Sequence, residues 1–145
     1  MTVIVFDGKT LAADKSASCG GVVQSVTKIQ RHGDELLACT GNLSIGLELF
    51  DWYKRGALPS TYPPANRDED KGASLIVVGA GGMVRKYESS PFPIEFNGAF
   101  SAFGSGAATA LGAMHMGATA KQAVEAAIKW DAGCGLGIDT LELQP

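Results

Sequence analysis

Cysteine and histidine are scarce in this sequence, which excludes several kinds of site. Three cysteines among 145 residues are an odd number, and none has CxxC spacing, so reduced thiols fit better than a disulfide framework. His32 and His115 stand far apart, and neither belongs to an HExxH motif. We read neither as a metal ligand and expect no metal or cofactor.

Basic residues are also few, with 12 Lys and Arg against 15 Asp and Glu and a formal net charge of -3. They are scattered, so the sequence lacks the basic patch that binds nucleic acid. No apolar run reaches the ~20 residues that span a bilayer, and TVIVF is too short for the apolar core of a signal peptide. We expect a cytoplasmic protein with no nucleic-acid or membrane partner.

The remaining composition is that of a globular protein, with 46% hydrophobic and 19% charged residues. A chain of this length fits one domain, which we assign to residues 1–145. We find no internal repeat and no low-complexity segment.

Three hairpins are predicted. Residues 2–14 form the first, with Asp7-Gly8 as a two-residue turn that pairs Phe6 with Lys9 and Thr2 with Ala13. Strict alternation in this register puts the Thr2 and Asp14 side chains on opposite faces, so bringing them together needs a bulge or a twisted end. SVTKIQ and ELLACTG form the second hairpin around HGDE, and ASLIVVG with MVRKYE forms the third.

Helical spacing of apolar residues predicts a helix over 43–55, with Gly56 as its stop. Two alanine-rich helices follow late in the chain, AATALGAMHM and AKQAVEAAIKWD. Residues 57–72 hold three of the six prolines and read as a loop, and GIDTLEL reads as an edge strand. Hairpin strands with helices grouped between them favour an α+β fold of layered antiparallel sheets.

The second residue, Thr2, is the first candidate for chemistry. If Met1 is removed, Thr2 carries a free amine beside its hydroxyl, and an α-amine titrates near ~8, so it can take the hydroxyl proton. This is the arrangement of an N-terminal threonine nucleophile. The alternative is that a small second residue serves only to allow methionine removal.

Other candidates each have a structural alternative. Lys28 near Thr2, paired with Asp14, would activate the nucleophile, or the two form an exposed surface ion pair. Gly41 supplies an oxyanion-binding amide, or a positive φ at a turn before a helix, and both can hold together. In FGSGAA, Ser105 caps a helix and the glycines pack closely. Cys134 is best explained as a buried or satisfied thiol.

The segments TVIVFDGKTLAADKSAS, SVTKIQ, ELLACTGN and AFGSGAA, in this order, resemble the β subunits of the proteasome and, more closely, the bacterial HslV-type peptidases. Those are N-terminal nucleophile hydrolases. The resemblance covers most of the chain, and its specificity comes from the order of short motifs. It implies a four-layer αββα sandwich, two antiparallel sheets between helices, reduced in size.

The resemblance also implies catalytic roles. Thr2 matches the nucleophile, Asp14 the aspartate that ends the second strand, and Lys28 the catalytic lysine. Gly41 matches the glycine whose amide forms the oxyanion hole, and Ser105 the serine of the family's GSG.

The late part of the chain matches less closely. Asp131 resembles the aspartate of the late site loop, and Cys134 falls where proteasome subunits usually carry serine. Ile45 stands where the family has an aspartate after its oxyanion glycine, and the first hairpin is shorter than in the family. The loop at 57–72 stands where the family places a second long helix.

From the resemblance we expect a threonine peptidase that acts on polypeptides, assembles as a homo-oligomeric ring and works with an ATP-dependent unfoldase. Two alternatives stay open. A retained Met1 would favour a non-catalytic scaffold subunit with the same fold. A closed pocket without an oligomeric chamber would favour a small-molecule amidase of the same superfamily.

Overall fold

A computed structural model describes residues 2–63 and 72–144, in which eleven strands and three α-helices are assigned. The strands are β1 (Ile4–Phe6), β2 (Thr10–Asp14), β3 (Ser16–Cys19), β4 (Val22–Ser25), β5 (Ile29–His32), β6 (Glu35–Gly41), β7 (Ala73–Val78), β8 (Val84–Tyr87), β9 (Ile94–Phe96), β10 (Ser101–Phe103) and β11 (Ile138–Glu142). The helices are α1 (Leu43–Lys54), α2 (Ala107–His115) and α3 (Ala120–Trp130), and Pro59–Thr61 forms a 3₁₀ turn.

Two antiparallel sheets form the centre of the molecule. The first sheet has the strand order β10-β1-β2-β11, and the second has the order β5-β6-β7-β8-β9. Apolar side chains of both sheets fill the space between them, including Ile4, Leu11, Leu36 and Ile76. This burial holds the sheets face to face, because apolar area removed from water contributes about 25 cal/mol per Å².

Helices cover the outer faces of both sheets. α2 and α3 pack on the first sheet around Val5, Ala12 and Val124, and α1 packs on the second around Leu37, Leu49 and Trp52. The predicted four-layer αββα sandwich is therefore confirmed. No helix among the described residues is long and apolar enough to cross a membrane.

The β1–β2 turn differs from the prediction. Phe6 pairs with Leu11 rather than with Lys9, so the central turn residues are Gly8 and Lys9 and not Asp7 and Gly8. Gly8 has a φ of 97°, which glycine adopts readily at the first central position of a tight hairpin turn.

The predicted pairing of Thr2 with Ala13 is also wrong, because Ala13 pairs with Ile4. The N–H of Asp14 donates to the carbonyl of Val3 at 3.3 Å, which continues the same register to the end of β2. Residues 3–14 therefore pair without a bulge, which was one of the two predicted ways to bring Thr2 and Asp14 together. Thr2 precedes the first residue of β1.

The segment SVTKIQ is not one strand. It is divided between the end of β4 and the start of β5, with residues 26–28 between them. A small hairpin of β3 and β4, which the sequence did not predict, precedes this break and forms a separate two-stranded sheet. The break matters because it contains Lys28.

The other predicted elements divide into confirmed and missed ones. The β5–β6 and β7–β8 hairpins, the three helices and the edge strand β11 are confirmed, and Gly56 follows α1 with a φ of 111°. The short strands β9 and β10 were not predicted. Of the predicted loop at 57–72, residues 64–71 lie outside the described residues.

Candidate active site at Thr2

Thr2 lies two residues before the start of β1 and is only 5% exposed. Its hydroxyl oxygen accepts a hydrogen bond from Nζ of Lys28 at 3.1 Å. Its backbone N–H donates to the hydroxyl oxygen of Ser105 at 3.3 Å. The hydroxyl and the backbone nitrogen of one residue therefore both have polar partners. Met1, whose removal would turn this nitrogen into an amine, lies outside the described residues.

Asp14 is fully buried and receives four hydrogen bonds. One carboxylate oxygen accepts from Nζ of Lys28 at 2.9 Å and from the N–H of Val3 at 3.1 Å. The other accepts from the N–H groups of Ser16 at 3.2 Å and Gly135 at 3.0 Å. These donors offset the high cost of burying a charge. Lys28 is 4% exposed, so the alternative of an exposed surface ion pair is wrong.

Lys28 connects the two sheets at this point. Its carbonyl accepts the N–H of Cys39 at 3.1 Å, which keeps residue 28 beside β6 of the second sheet. Its side chain reaches Thr2 and Asp14 at the ends of the first two strands of the other sheet. A positive charge this close to a hydroxyl oxygen stabilises negative charge that develops there.

Two glycines allow Ser105 to approach Thr2. Gly104 has a φ of 96°, and a Cβ there would lie 2.2 Å from the carbonyl oxygen of Thr2. A Cβ on Gly106 would lie 2.9 Å from Cβ of Val3. The predicted close packing of these glycines is confirmed. The predicted capping by Ser105 is wrong, because Gly106 is the N-cap of α2 and no side chain caps it.

Asp131 and Cys134 lie behind Ser105. The Ser105 hydroxyl donates to Oδ2 of Asp131 at 2.7 Å and the Gly133 N–H donates to Oδ1 at 2.8 Å, and these bonds lower the pKa of Asp131. This carboxylate is therefore ionised at neutral pH. Burial, followed by the charges of Asp14 and Asp131, raises the pKa of Cys134 to about 11. Its thiol is buried, as predicted, and stays protonated.

Gly41 ends β6 with a φ of 85°, and a Cβ there would lie 2.4 Å from the carbonyl oxygen of Gly72. Asn42 follows as the N-cap of α1, and its side chain accepts the N–H of Ile45 at 3.2 Å. The predicted need for glycine at a turn before a helix is therefore confirmed.

Gly41 and Thr2 line the same cleft, which has a volume of about 340 Å³. Its other lining residues come from β3, from the segment before β5, from β6 and from the start of α1. They include Ser16, Ala17, Ser18, Cys19, Val26, Cys39 and Ser44. Thr2 therefore forms part of the wall of this cleft. Within residues 2–63 and 72–144, no group of three or more His, Cys, Asp and Glu side chains is placed to hold a metal ion.

The structure thus brings all seven predicted residues into one neighbourhood: Thr2, Asp14, Lys28, Gly41, Ser105, Asp131 and Cys134. Sequence reasoning missed Gly135 and Ser16, whose N–H groups bind Asp14. Almost every residue type has a backbone N–H, so the sequence does not identify main-chain donors. The glycine-rich run DAGCGLG was the one indication that this backbone is closely packed.

Solved structures provide the comparison with known proteins. Two structures of Thiobacillus denitrificans BPH, one of them in complex with Epoxomicin, are 26% identical over the whole of both chains, with a TM-score of 0.72. The eukaryotic HslV from Trypanosoma brucei is 19% identical over 99% of both chains, with a TM-score of 0.73. No protein-family model and no curated protein matches the sequence. The chain has the fold of HslV-type and proteasome-type peptidases.

Proposed function

We propose that this chain, with its HslV-type and proteasome-type fold, is a threonine peptidase that hydrolyses peptide bonds with Thr2 as its N-terminal nucleophile. One observation carries the proposal. The Thr2 hydroxyl lies 3.1 Å from the Lys28 ammonium while the nitrogen of the same residue lies 3.3 Å from the Ser105 hydroxyl, beside an open cleft. The 26% identity to a structure that binds Epoxomicin adds support.

The first half of the reaction forms an ester. Once Met1 is removed, the Thr2 amine takes the proton of the Thr2 hydroxyl, and the oxygen attacks the peptide carbonyl carbon. Lys28 stabilises the charge that develops on the attacking oxygen, and the Gly41 amide stabilises the oxyanion on the former carbonyl oxygen. The protonated amine then gives its proton to the leaving nitrogen, and the C–N bond breaks.

The second half regenerates the enzyme. Water gives a proton to the same amine and attacks the ester carbonyl, and the Thr2 oxygen leaves and recovers that proton. Ser105 accepts from the nitrogen of Thr2 and in turn donates to Asp131, so it orients the amine in both halves. Cys134 keeps its thiol proton and hydrogen-bonds to Asp131.

We also propose that the chain assembles into a homo-oligomeric ring and works with an ATP-dependent unfoldase, as the resemblance implies. Exposed large apolar side chains support assembly, since Phe92 is 74%, Met116 83% and Trp130 77% exposed in the single chain. Sedimentation velocity tests the ring, and a 15.0 kDa monomer at working concentrations would contradict it.

Turnover of fluorogenic peptides by two Thr2 variants tests the reaction. Thr2→Ala should lose all hydrolysis, whereas Thr2→Ser, which keeps a hydroxyl and an amine, should retain part of it. Thr140→Ala, at an exposed threonine on β11, is the matched control and should match the wild type. Equal urea unfolding of all four proteins is required, and hydrolysis by Thr2→Ala at the wild-type rate would refute the proposal.

A further inference from the structure

Loop 132–137, which follows the C-cap Asp131 of α3 and precedes β11, contacts Lys15. The N–H of Lys15 donates to the carbonyl of Gly135 at 2.9 Å. A Cβ on Gly137 would lie 3.5 Å from Cδ of Lys15, so the aliphatic stem runs alongside this glycine. Nζ then reaches both carboxylate oxygens of Asp139 on β11, each at 3.1 Å. Lys15 therefore contacts the loop at its middle and at its end.

The backbone under this lysine has an unfavourable conformation. Leu136 has a φ of 60° and Gly137 a φ of 101°, two successive residues in the left-handed region. A leucine in that region is strained by its Cβ. The neighbouring groups must hold it there, and the ion pair of Lys15 with Asp139 spans this position. The two side chains are 25% and 29% exposed, so the pair is partly shielded from water.

A continuous set of hydrogen bonds runs from this loop to Thr2. The N–H groups of Gly133 and Cys134 donate to the side chain and the carbonyl of Asp131, at 2.8 and 3.1 Å. Asp131 accepts from Ser105, which accepts from the nitrogen of Thr2. These bonds connect the loop to the nitrogen that acts as the base in the proposed reaction.

We infer that Lys15 is a positioning residue for the Thr2 amine, because its ion pair with Asp139 fixes loop 132–137 and thereby Asp131 and Ser105. The inference rests on the proposed function. Lys15 is not among the residues that line the cleft. Its loss should therefore slow the reaction without weakening substrate binding.

Kinetics of four variants test this role. Lys15→Met keeps the stem and removes the charge, Asp139→Asn removes the partner, and Lys15→Arg keeps a donor for both oxygens. Lys86→Met is the matched control, because the Lys86 side chain on β8 is 22% exposed and forms a similar pair with Glu88, which follows that strand. We expect kcat to fall between about twofold and fivefold in Lys15→Met and Asp139→Asn, with KM unchanged. Lys15→Arg and Lys86→Met should keep the wild-type kcat.

Removing the Lys15 charge could also change the pKa of the Thr2 amine directly. At a pH above that pKa the amine is unprotonated in every variant, so kcat measured there does not report this change. Amide hydrogen exchange of residues 132–137 provides a readout that does not depend on activity, and Lys15→Met should exchange faster there than Lys86→Met. If the wild type is active, and Lys15→Met and Lys86→Met have the same kcat and the same exchange, this inference alone is overturned. A wild type that hydrolyses no peptide would overturn the proposed function, and this role with it.

Discussion

Replacing Asp14 by asparagine removes the negative charge that holds Lys28 beside Thr2. Asp14 is fully buried and Lys28 is 4% exposed, so water cannot replace the lost partner. The asparagine also presents an NH₂ group where the carboxylate had an oxygen, and each oxygen receives two donors. The two donors that bound the replaced oxygen therefore face the NH₂ group of the asparagine, which cannot accept a hydrogen bond.

The expected cost is large. Removing one partner of a buried ion pair destabilises a protein by about 3–5 kcal/mol, which is much of the 5–15 kcal/mol of a typical domain. Lys28→Met should cost less, because the Asp14 carboxylate keeps the N–H groups of Val3, Ser16 and Gly135. Both variants should lose peptide hydrolysis, since either change removes the positive charge from its place at the Thr2 hydroxyl.

Urea unfolding measures the difference. With a slope of about 2 kcal/mol per M, the loss in Asp14→Asn corresponds to a midpoint lower by about 2 M. Asp51→Asn is the matched control, because Asp51 is 61% exposed in its pair with Arg55 and should change stability by less than about 1 kcal/mol. An Asp14→Asn midpoint equal to that of the control, or a smaller loss than in Lys28→Met, would refute this reasoning.

Three further variants or reactions extend the test. Gly104→Ala should lower kcat by about 100-fold, because its Cβ would displace Thr2; Gly112→Ala, with nothing within 4 Å of its Cβ, is the control, and equal rates would contradict the packing argument. Ser105→Ala should lower kcat with unchanged KM, because the Thr2 amine loses its acceptor; the exposed Ser90→Ala should not, and a change in KM alone would argue against orientation. Iodoacetamide at pH 8 should modify Cys19 alone, because it is exposed, whereas Cys39 and Cys134 have pKa values of about 11 and only about one thiol in a thousand is ionised. Labelling at Cys134 before unfolding, seen by peptide mass mapping, would show that this thiol is neither buried nor protonated.

The sequence predicted the elements whose pattern is local. In α1 the apolar residues Ile45, Leu49 and Trp52 recur at helical spacing and are buried together. The β7–β8 hairpin is likewise local, because each strand pairs with its neighbour in the sequence. In contrast, β10 has three residues and pairs with β1 almost a hundred positions earlier. No local alternation marks such a strand, because the partner that satisfies its backbone is distant in sequence.

The turn of the first hairpin was mispredicted for a similar reason. Asp7-Gly8 is a favoured pair of central residues, but the Asp7 carboxylate accepts the N–H groups of Lys9 and Thr10 and also that of Ala120 at the start of α3. This contact with a distant helix holds Asp7 outside the two central positions, and the register moves by two residues.

The site followed mainly from the resemblance. Spacing alone left Asp14 and Lys28 as a surface pair, since Asp14 ends β2 of the first sheet and Lys28 lies beside β6 of the second, so that only the packed fold brings them together. The main-chain donors of Ser16 and Gly135 had no counterpart in the residue pattern. The side-chain candidates were therefore predictable, and the backbone that holds them was not.

The intact mass of the purified protein, before and after incubation with a peptide epoxyketone such as Epoxomicin, shows whether Thr2 is an N-terminal nucleophile. An epoxyketone reacts with the hydroxyl and the amine of an N-terminal threonine together, so the adduct reports both groups. We expect loss of Met1 and one adduct per chain, absent in Thr2→Ala. Retained Met1 with no adduct, or an adduct that forms equally on Thr2→Ala, would contradict it.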